Sequence, residues 1–384
     1  MPRIADVLER ESRTVDLEQG DFERLLGRRE RTQRNRRIRA GAVGVIVALA
    51  TGIVLVRSLT SDPIPADRPV EPRPAPAASG ALAYALDGDI YVADPDGSNA
   101  TRIADGRPAE DCVGFSGEYW AEGPIWSPDG RYLAYRRYTD CSSSELARDV
   151  VITDAEGNVL ATFPSGGWQI AWSPDSTRVA VWDVVFETIG VYGLDGARQT
   201  QLTMPSGWTP SGDHDPVWMP DGTSLMVDNV EVPLDGGTPR HLPWGPEAYS
   251  PDGSHVAYVT HRSLTVARSD GSEPREVFGD WTGDPTWSAT GDRIAFTTHG
   301  RGPAWSSAEL RVLDVATGSV TLLTEGERAS MLWVIGFSPQ GDRILFSRTE
   351  DRGAGESSLW SIGVEDSDAR LVVAGSMEGE WLSR

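Results

Sequence analysis

The sequence predicts an all-β body, a β-propeller of seven four-stranded blades, preceded by one transmembrane helix. Three observations lead to this prediction: an aromatic–turn–strand unit that recurs six times, an apolar segment of 17 residues, and a strand-like C terminus that completes an incomplete first unit. We divide the 384 residues into a tail (1–39), a transmembrane helix (40–59), a linker (60–80) and the propeller (81–384).

The tail and the body carry opposite charge. All 35 basic residues are Arg, and residues 1–39 contain 11 of them with 8 acidic residues. From Ser58 onward 23 Arg stand against 49 acidic residues, a net charge of −26. The absence of Lys excludes P-loop, protein-kinase and Schiff-base chemistry. Because a body with this much negative charge repels phosphate backbones, we expect no nucleic-acid partner.

The apolar segment Ala40–Val56 contains no charged residue. As a helix it is ~26 Å long against a hydrocarbon core of ~30 Å, and Ser58 and Leu59 can extend it. Seven Arg lie between positions 28 and 39. The positive-inside rule therefore places the N terminus in the cytoplasm and the propeller outside the cell membrane. A buried core helix and a cleaved signal peptide are the alternatives.

The flanking segments have simpler compositions. The tail is Arg-rich with a small apolar cluster at Phe22, Leu25 and Leu26, which is either a docking element or part of a solvated, topology-setting segment. The linker has six Pro between positions 63 and 76, a composition typical of a semi-extended spacer.

The repeated unit begins with an aromatic residue and S-P-D-G or a relative of it. The six units start at Trp126, Trp172, Trp218, Tyr249, Trp287 and Phe337, with spacings of 46, 46, 31, 38 and 50 residues. Pro presets φ for a type I turn, Asp suits the next position and Gly closes the turn. Alternating segments such as Tyr132–Tyr135 follow, and four strands per ~42 residues are typical of a propeller blade.

The two ends of the body complement each other. Residues 81–104 contain the second, third and fourth strands of a unit but lack its aromatic opening. The segment Gly379–Ser383, with Trp381, resembles that missing first strand. We therefore predict that Trp381 pairs beside Ala81–Tyr84, so that the termini share the seventh blade and the ring has no open edge.

The pattern W-S-P-D-G, I-A-F, I-Y-V, D-G and R-x-L-T resembles the TolB-like, or PD40, class of WD40-like propeller repeats, here in a single-pass membrane-anchored bacterial protein. The resemblance covers nearly all of 81–384. It implies a propeller and says little about activity, because such propellers serve as scaffolds, binding proteins and companion domains of peptidases. TolB itself is soluble and six-bladed beside a second domain, so its function does not transfer to this chain.

One face of the propeller is expected to bind. Length varies in the loops 105–124, 138–148, 204–215, 299–307 and 325–333, which emerge opposite the S-P-D-G turns. Variable loops on a rigid scaffold commonly carry binding residues, and exposed Trp and Arg are frequent hot spots. The candidate ligand-binding residues are Tyr119, Trp120, Trp208, Asp213, His214, Trp281, Arg301, Trp305 and Trp333. Trp126, Trp172, Trp218 and Trp287 are assigned to packing instead.

Cys112 and Cys141 fall in loops of the same face of one blade. Outside the membrane a disulfide between them is expected, worth ~3 kcal/mol; two free thiols are the alternative. We expect no metal and no cofactor: Asp213, His214 and Asp215 are adjacent in sequence and rarely converge on one ion.

These observations predict a non-catalytic binding, sensing or scaffold module for a protein, peptide or glycan. No nucleophile set and no H-E-x-x-H or G-x-S-x-G motif is present. One alternative is an anti-sigma-like regulator whose tail binds a cytoplasmic factor. Another is an enzyme that acts on glycans or peptides through carboxylates such as Asp213 or Asp215. Carboxylates with a raised pKa near the propeller axis would favour that enzyme.

Overall fold

A computed structural model of the chain shows seven four-stranded antiparallel sheets, the blades of a β-propeller. The structure describes residue 77 and residues 79–106, 121–138, 148–165, 170–183, 188–205, 216–260, 263–279, 282–299, 308–326, 330–350, 357–365, 367–376 and 378–382. Among these residues no helix is long and apolar enough to cross a membrane. The predicted tail and transmembrane helix lie outside them.

The 28 strands follow one another as up-and-down blades. Blade 1 begins with β1 (Leu82–Leu86), β2 (Asp89–Ala93) and β3 (Thr101–Ala104); blade 2 is β4 (Ala121–Trp126), β5 (Tyr132–Tyr138), β6 (Arg148–Asp154) and β7 (Val159–Ser165); blade 3 is β8 (Ile170–Trp172), β9 (Arg178–Asp183), β10 (Thr188–Gly193) and β11 (Arg198–Thr203); blade 4 is β12 (Val217–Trp218), β13 (Ser224–Val227), β14 (Val230–Pro233) and β15 (Arg240–His241).

The second half repeats the arrangement. Blade 5 is β16 (Ala248–Tyr249), β17 (His255–Thr260), β18 (Ser263–Arg268) and β19 (Arg275–Phe278); blade 6 is β20 (Thr282–Trp287), β21 (Arg293–His299), β22 (Ala308–Asp314) and β23 (Val320–Glu325); blade 7 is β24 (Met331–Phe337), β25 (Arg343–Thr349), β26 (Ser357–Gly363) and β27 (Ala369–Ala374). The last strand, β28 (Gly379–Trp381), returns to blade 1.

The ring closes as predicted. β28 pairs antiparallel with β1, with Trp381 opposite Leu82 and Gly379 opposite Tyr84. The Trp381 side chain is buried, and its indole nitrogen donates a hydrogen bond to the Pro95 carbonyl at 3.0 Å. The composite blade is therefore held by backbone pairing and by a buried aromatic anchor.

The S-P-D-G turns are built around a buried serine. In blade 2 the Gly130 amide donates to the Ser127 carbonyl at 2.8 Å and closes the turn. The Ser127 hydroxyl donates to Asp129 at 2.8 Å and accepts a bond from the Tyr132 amide at 3.0 Å. Gly130 has a φ of 64°, in the left-handed region that favours glycine.

The two units with weaker sequence similarity keep the same hydrogen bond. Asp is missing from the third turn position there, and the acceptor lies two residues later. Ser288 donates to Asp292 at 2.7 Å, and Ser338 donates to Asp342 at 2.6 Å. The aspartate therefore occupies a different sequence position in these two turns but makes the same hydrogen bond with the serine.

The blade-opening tryptophans are buried in the core, in line with their assignment to packing. Trp126, Trp172, Trp218 and Trp287 are all buried. The Trp172 indole donates to the Ile125 carbonyl of the preceding blade at 3.1 Å, and Trp218 donates to Ala171 at 3.0 Å. The indoles of Trp172 and Trp218 thus fill the core and also tie one first strand to the next.

Candidate binding site at the start of the second blade

The first strands form the inner ring of the propeller around its axis. In this ring β28 contacts β4 on one side and β24 on the other. The residues before β4 connect blade 1 to blade 2, so β4 begins at the face predicted to bind. The start of β4 is therefore the point where the ring closure meets the variable-loop face.

β4 contains a bulge at Gly123. Glu122 pairs with Arg136 of β5 and Ile125 pairs with Ala134, so three steps along β4 match two along β5. Gly123 has a φ of 59°, and a Cβ there would lie 2.6 Å from Nη2 of Arg136. Glycine thus permits the left-handed backbone and leaves room for the Arg136 guanidinium against it.

Four charged side chains gather around this bulge, and we name them the bulge cluster: Glu122, Arg136, Arg148 and Glu378. Glu122 Oε1 lies 3.5 Å from Arg136 Nε and 3.9 Å from Arg148 Nε. The side chains of these three residues are 7%, 12% and 2% exposed, respectively. Glu378 accepts a 2.6 Å hydrogen bond from the Gly123 amide. Two carboxylates and two guanidinium groups give the cluster a formal charge of zero.

Tyr138 borders the cluster at the end of β5. Arg148 Nη2 donates to the Tyr138 hydroxyl at 2.5 Å, and the guanidinium carbon lies 4.7 Å from the centre of the tyrosine ring. Burial, with a contribution from Glu122, raises the pKa of Tyr138 above its ordinary value. The tyrosine therefore stays neutral and holds Arg148 in place.

Two carboxyl groups at this joint have raised pKa values. Burial raises the pKa of Glu122, and Glu378 adds to the effect, while Arg136 and Arg148 oppose it. Burial also raises the pKa of Glu380 to about 7, although the Trp126 amide donates to this carboxylate at 2.5 Å. Burial thus makes both carboxyl groups harder to ionise than an exposed glutamate.

Most of the predicted site lies outside the described residues. This holds for Tyr119, Trp120, Trp208, Asp213, His214, Trp281, Arg301 and Trp305, for Asp215, and for both cysteines, Cys112 and Cys141. Trp333 is described, and its predicted placement in a loop is wrong. It lies half-buried on the first strand β24, opposite Ser347, because β24 begins at Met331 within the predicted loop 325–333.

The bulge cluster escaped sequence reasoning, although two signals point to it. Arg136 and Arg137 are two adjacent basic residues inside the second strand of blade 2. Glu378 and Glu380 flank Gly379 in the strand that closes the ring. Only the tertiary structure brings these two segments to the same bulge, since 255 residues separate Gly123 from Glu378.

One exposed turn in blade 5 resembles a Ser-His-Asp catalytic triad in composition. Ser254 Oγ lies 2.8 Å from Asp252 Oδ1 and 2.7 Å from His255 Nδ1. A nucleophilic set needs the base between the nucleophile and the acid, whereas here the serine stands between the other two. Hydrogen bonds from Ser250 and Ser254 lower the pKa of Asp252 to about 2, which suits a turn acceptor. In the part of the chain that the structure describes, no group of three or more His, Cys, Asp or Glu could hold a metal ion.

Comparisons with known proteins show similarity at the level of fold. No model of a known family matches the chain. An uncharacterized protein of Agrobacterium fabrum is 27% identical over 259 residues, which are 59% of this chain and 84% of that protein.

Two solved structures are similar in fold. A prolyl endopeptidase structure has a TM-score of 0.54 and 13% identity, with 79% of this chain and 50% of that chain covered. TolB from Acinetobacter baumannii has a TM-score of 0.48 and 18% identity, with 79% and 66% covered. The chain thus spans half of the endopeptidase and slightly under two thirds of TolB, and both likenesses concern the fold alone.

Proposed function

We propose that the chain is a membrane-anchored, extracytoplasmic binding or sensing module without catalysis. Its propeller engages a protein, peptide or glycan at the variable-loop face, and residues 40–59 hold it in the cell membrane. The observation that carries this proposal is the bulge cluster at that face of the inner ring. Buried charges are costly, and clusters of them commonly mark functional sites.

The fold supports binding for a further reason. The described blades form a rigid frame, and the loops at one face are contributed by different blades. The sequence and length of such loops can change without loss of the core. Trp333 lies on β24, which contacts β28. A described aromatic residue is thereby placed in the same part of the ring as the bulge cluster.

The test is photo-crosslinking in intact cells. A photoreactive residue at Trp333 is expected to capture a ligand, whereas one at Leu371, 51% exposed on the outer strand β27, serves as the matched control. Equal capture from both positions would argue against a binding face. Protease treatment of intact cells tests the anchor: digestion of the propeller is expected, and a protected propeller would contradict it.

A carboxylate-based enzyme acting on glycans or peptides is the second candidate, and one observation favours it. Burial raises the pKa of Glu380 to about 7, at which a carboxyl group can donate a proton near neutral pH, and it also raises the pKa of the nearby Glu122. Turnover of oligosaccharides or peptides that is lost in Glu380→Gln but kept in Glu365→Gln would support catalysis. Stable binding without product would favour the first proposal.

A further inference from the structure

A cavity that opens to solvent lies between blades 5 and 6, on the face of the S-P-D-G turns. Its volume is about 190 Å³, and its lining comes from the start of β17, the β18–β19 hairpin and the end of β22. Drug-sized ligands occupy pockets of roughly 300–1,000 Å³, so this cavity suits a smaller molecule. It lies on the face opposite the variable loops and is therefore separate from the site of the proposed function.

The floor of the cavity is apolar. Val266 and Leu313 are buried beneath it, and Val277 and Val315 are half-buried at its sides. All four belong to the hydrophobic cluster that joins blade 5 to blade 6. The cavity is thus an open end of this core, where an apolar group from a ligand can be removed from water.

The joint between blades 2 and 3 is filled differently. There the rings of Phe163 and Tyr192 stack with their centres 4.0 Å apart. Tyr192 is the residue before the turn that links the third and fourth strands of blade 3, and Leu313 holds the same place in blade 6. Leucine has no ring, and the cavity lies beside it. A branched aliphatic or phenyl group is about the size of the missing ring.

The rim of the cavity is charged. Arg268 forms an ion pair with Glu273 at 3.1 Å. Arg275 is exposed and has neither an ion pair nor a hydrogen bond to any residue that the structure describes. Its guanidinium lies against Gly318, where a Cβ would collide with Nη2. Two Arg and one Glu give the lining a charge of +1 with His255 neutral, in a segment that carries −26 from Ser58 onward.

The charge and the floor together select a ligand class. A local positive charge attracts an anion, and a guanidinium group binds a carboxylate through two parallel hydrogen bonds. The strongly acidic surroundings favour one negative charge over the nearly two of a phosphate. We infer that this cavity binds a small monocarboxylate, whose branched aliphatic or phenyl group lies on the apolar floor and whose carboxylate pairs with Arg275.

The test is calorimetric titration of the full-length chain in a non-ionic detergent with 4-methylpentanoate and 3-phenylpropanoate. At least one of these acids is expected to bind. Arg275→Gln should weaken that binding tenfold or more. Arg198→Gln is the matched control and should bind as the wild type does, because Arg198 is likewise an exposed arginine that begins an outer strand, β11 of blade 3.

A second measurement uses the wild-type chain alone and so does not depend on variant folding. The amide of the bound acid has the same shape without the charge, and acetate has the charge without the apolar group. Both should bind at least tenfold more weakly than the acid. Equal affinity for acid and amide would overturn the pairing with Arg275, as would binding that Arg275→Gln leaves unchanged.

Two further outcomes would overturn the ligand class. One is the absence of binding by both acids. The other is binding of a leucine-terminated tripeptide without binding of either acid, which would identify the carboxyl terminus of a peptide as the ligand. Neither result bears on capture at Trp333, so this inference and the proposed function can fail separately.

Discussion

Two joints of the inner ring are built differently. At the joint between blades 2 and 3, the buried Trp172 indole donates to the Ile125 carbonyl. The joint between blades 1 and 2 reverses this arrangement: the indole nitrogen of Trp126 has no hydrogen-bond partner among the described residues, and backbone amides donate to Glu378 and Glu380 instead. The regular joint is held by packing and a neutral hydrogen bond, whereas the closing joint depends on charge and hence on pH.

The difference indicates where this propeller departs from its own repeat. A joint made of tryptophan and carbonyl groups pairs the indole N–H without burying a charge. A joint made of carboxylates next to guanidinium groups carries a desolvation cost that a purely structural closure would avoid. If the closing joint is weaker, more pH-sensitive and more specialised than the regular one, equivalent substitutions at the two joints should have different effects.

The largest expected effect comes from Trp381→Ala, which removes the aromatic anchor of the closing strand. Loss of a buried tryptophan should lower the free energy of unfolding by about 3–5 kcal/mol. Urea unfolding followed by tryptophan fluorescence measures it. Leu371→Ala, at an exposed position, should change stability by less than ~0.5 kcal/mol, and equal losses in the two variants would contradict the anchoring assignment.

Gly123→Ala tests the bulge. The added Cβ meets the Arg136 guanidinium and forces a non-glycine residue to a φ of 59°, so a loss of about 1–3 kcal/mol is expected by thermal unfolding. Gly336→Ala is the matched control, since β24 also has a register shift there and nothing lies within 4 Å of the new Cβ. Destabilisation by Gly336→Ala of the same size would show that the bulge cluster has no special need for glycine.

Glu380 makes stability depend on pH. Its pKa in the folded chain is about 7, above the ordinary 4.5, so the folded state binds the proton more tightly and stability falls as pH rises from about 4.5 to 7. Glu380→Gln mimics the neutral acid and should raise stability at pH 8 by about 1–3 kcal/mol, with little effect at pH 4.5. Melting curves measured across this pH range check the prediction. Glu365→Gln, at an exposed position, should show no pH-dependent change in stability. If Glu380→Gln stabilises the chain equally at every pH, the raised pKa of Glu380 is wrong.

The smallest expected effect compares two phenylalanine substitutions. Trp172→Phe removes the hydrogen bond to Ile125, whereas Trp126→Phe removes an indole nitrogen without a described partner. The first should therefore cost about 1 kcal/mol more than the second in urea unfolding. Equal costs would mean that the two joints are held alike.

Local signals were sufficient for most of the architecture. Strands such as β5 and β9 follow from alternation after a Pro-Asp turn, and the closing of the ring by Trp381 follows from one missing and one spare strand. The serine–aspartate bond in the turns of blades 6 and 7 is not part of the S-P-D-G motif, because Asp292 and Asp342 lie two residues beyond the motif's Asp position.

The candidate site was predicted less well for a physical reason. Trp333 belongs to a strand, and the other predicted ligand-binding residues lie outside the described ranges. Glu122, Arg136 and Glu378 come from three separate segments, and no short-range pattern links them.

The sequence by itself determined the number of blades, their turns and the pairing of the two ends, since each depends on residues within one repeat or on a count of repeats. Only the tertiary structure decided that the closing strand places Glu378 and Glu380 against the backbone of β4, and that the glycine bulge admits Arg136 beside Glu122. The reason is that burial and proximity set the energy of a charge, and both arise only when distant segments of the chain pack together.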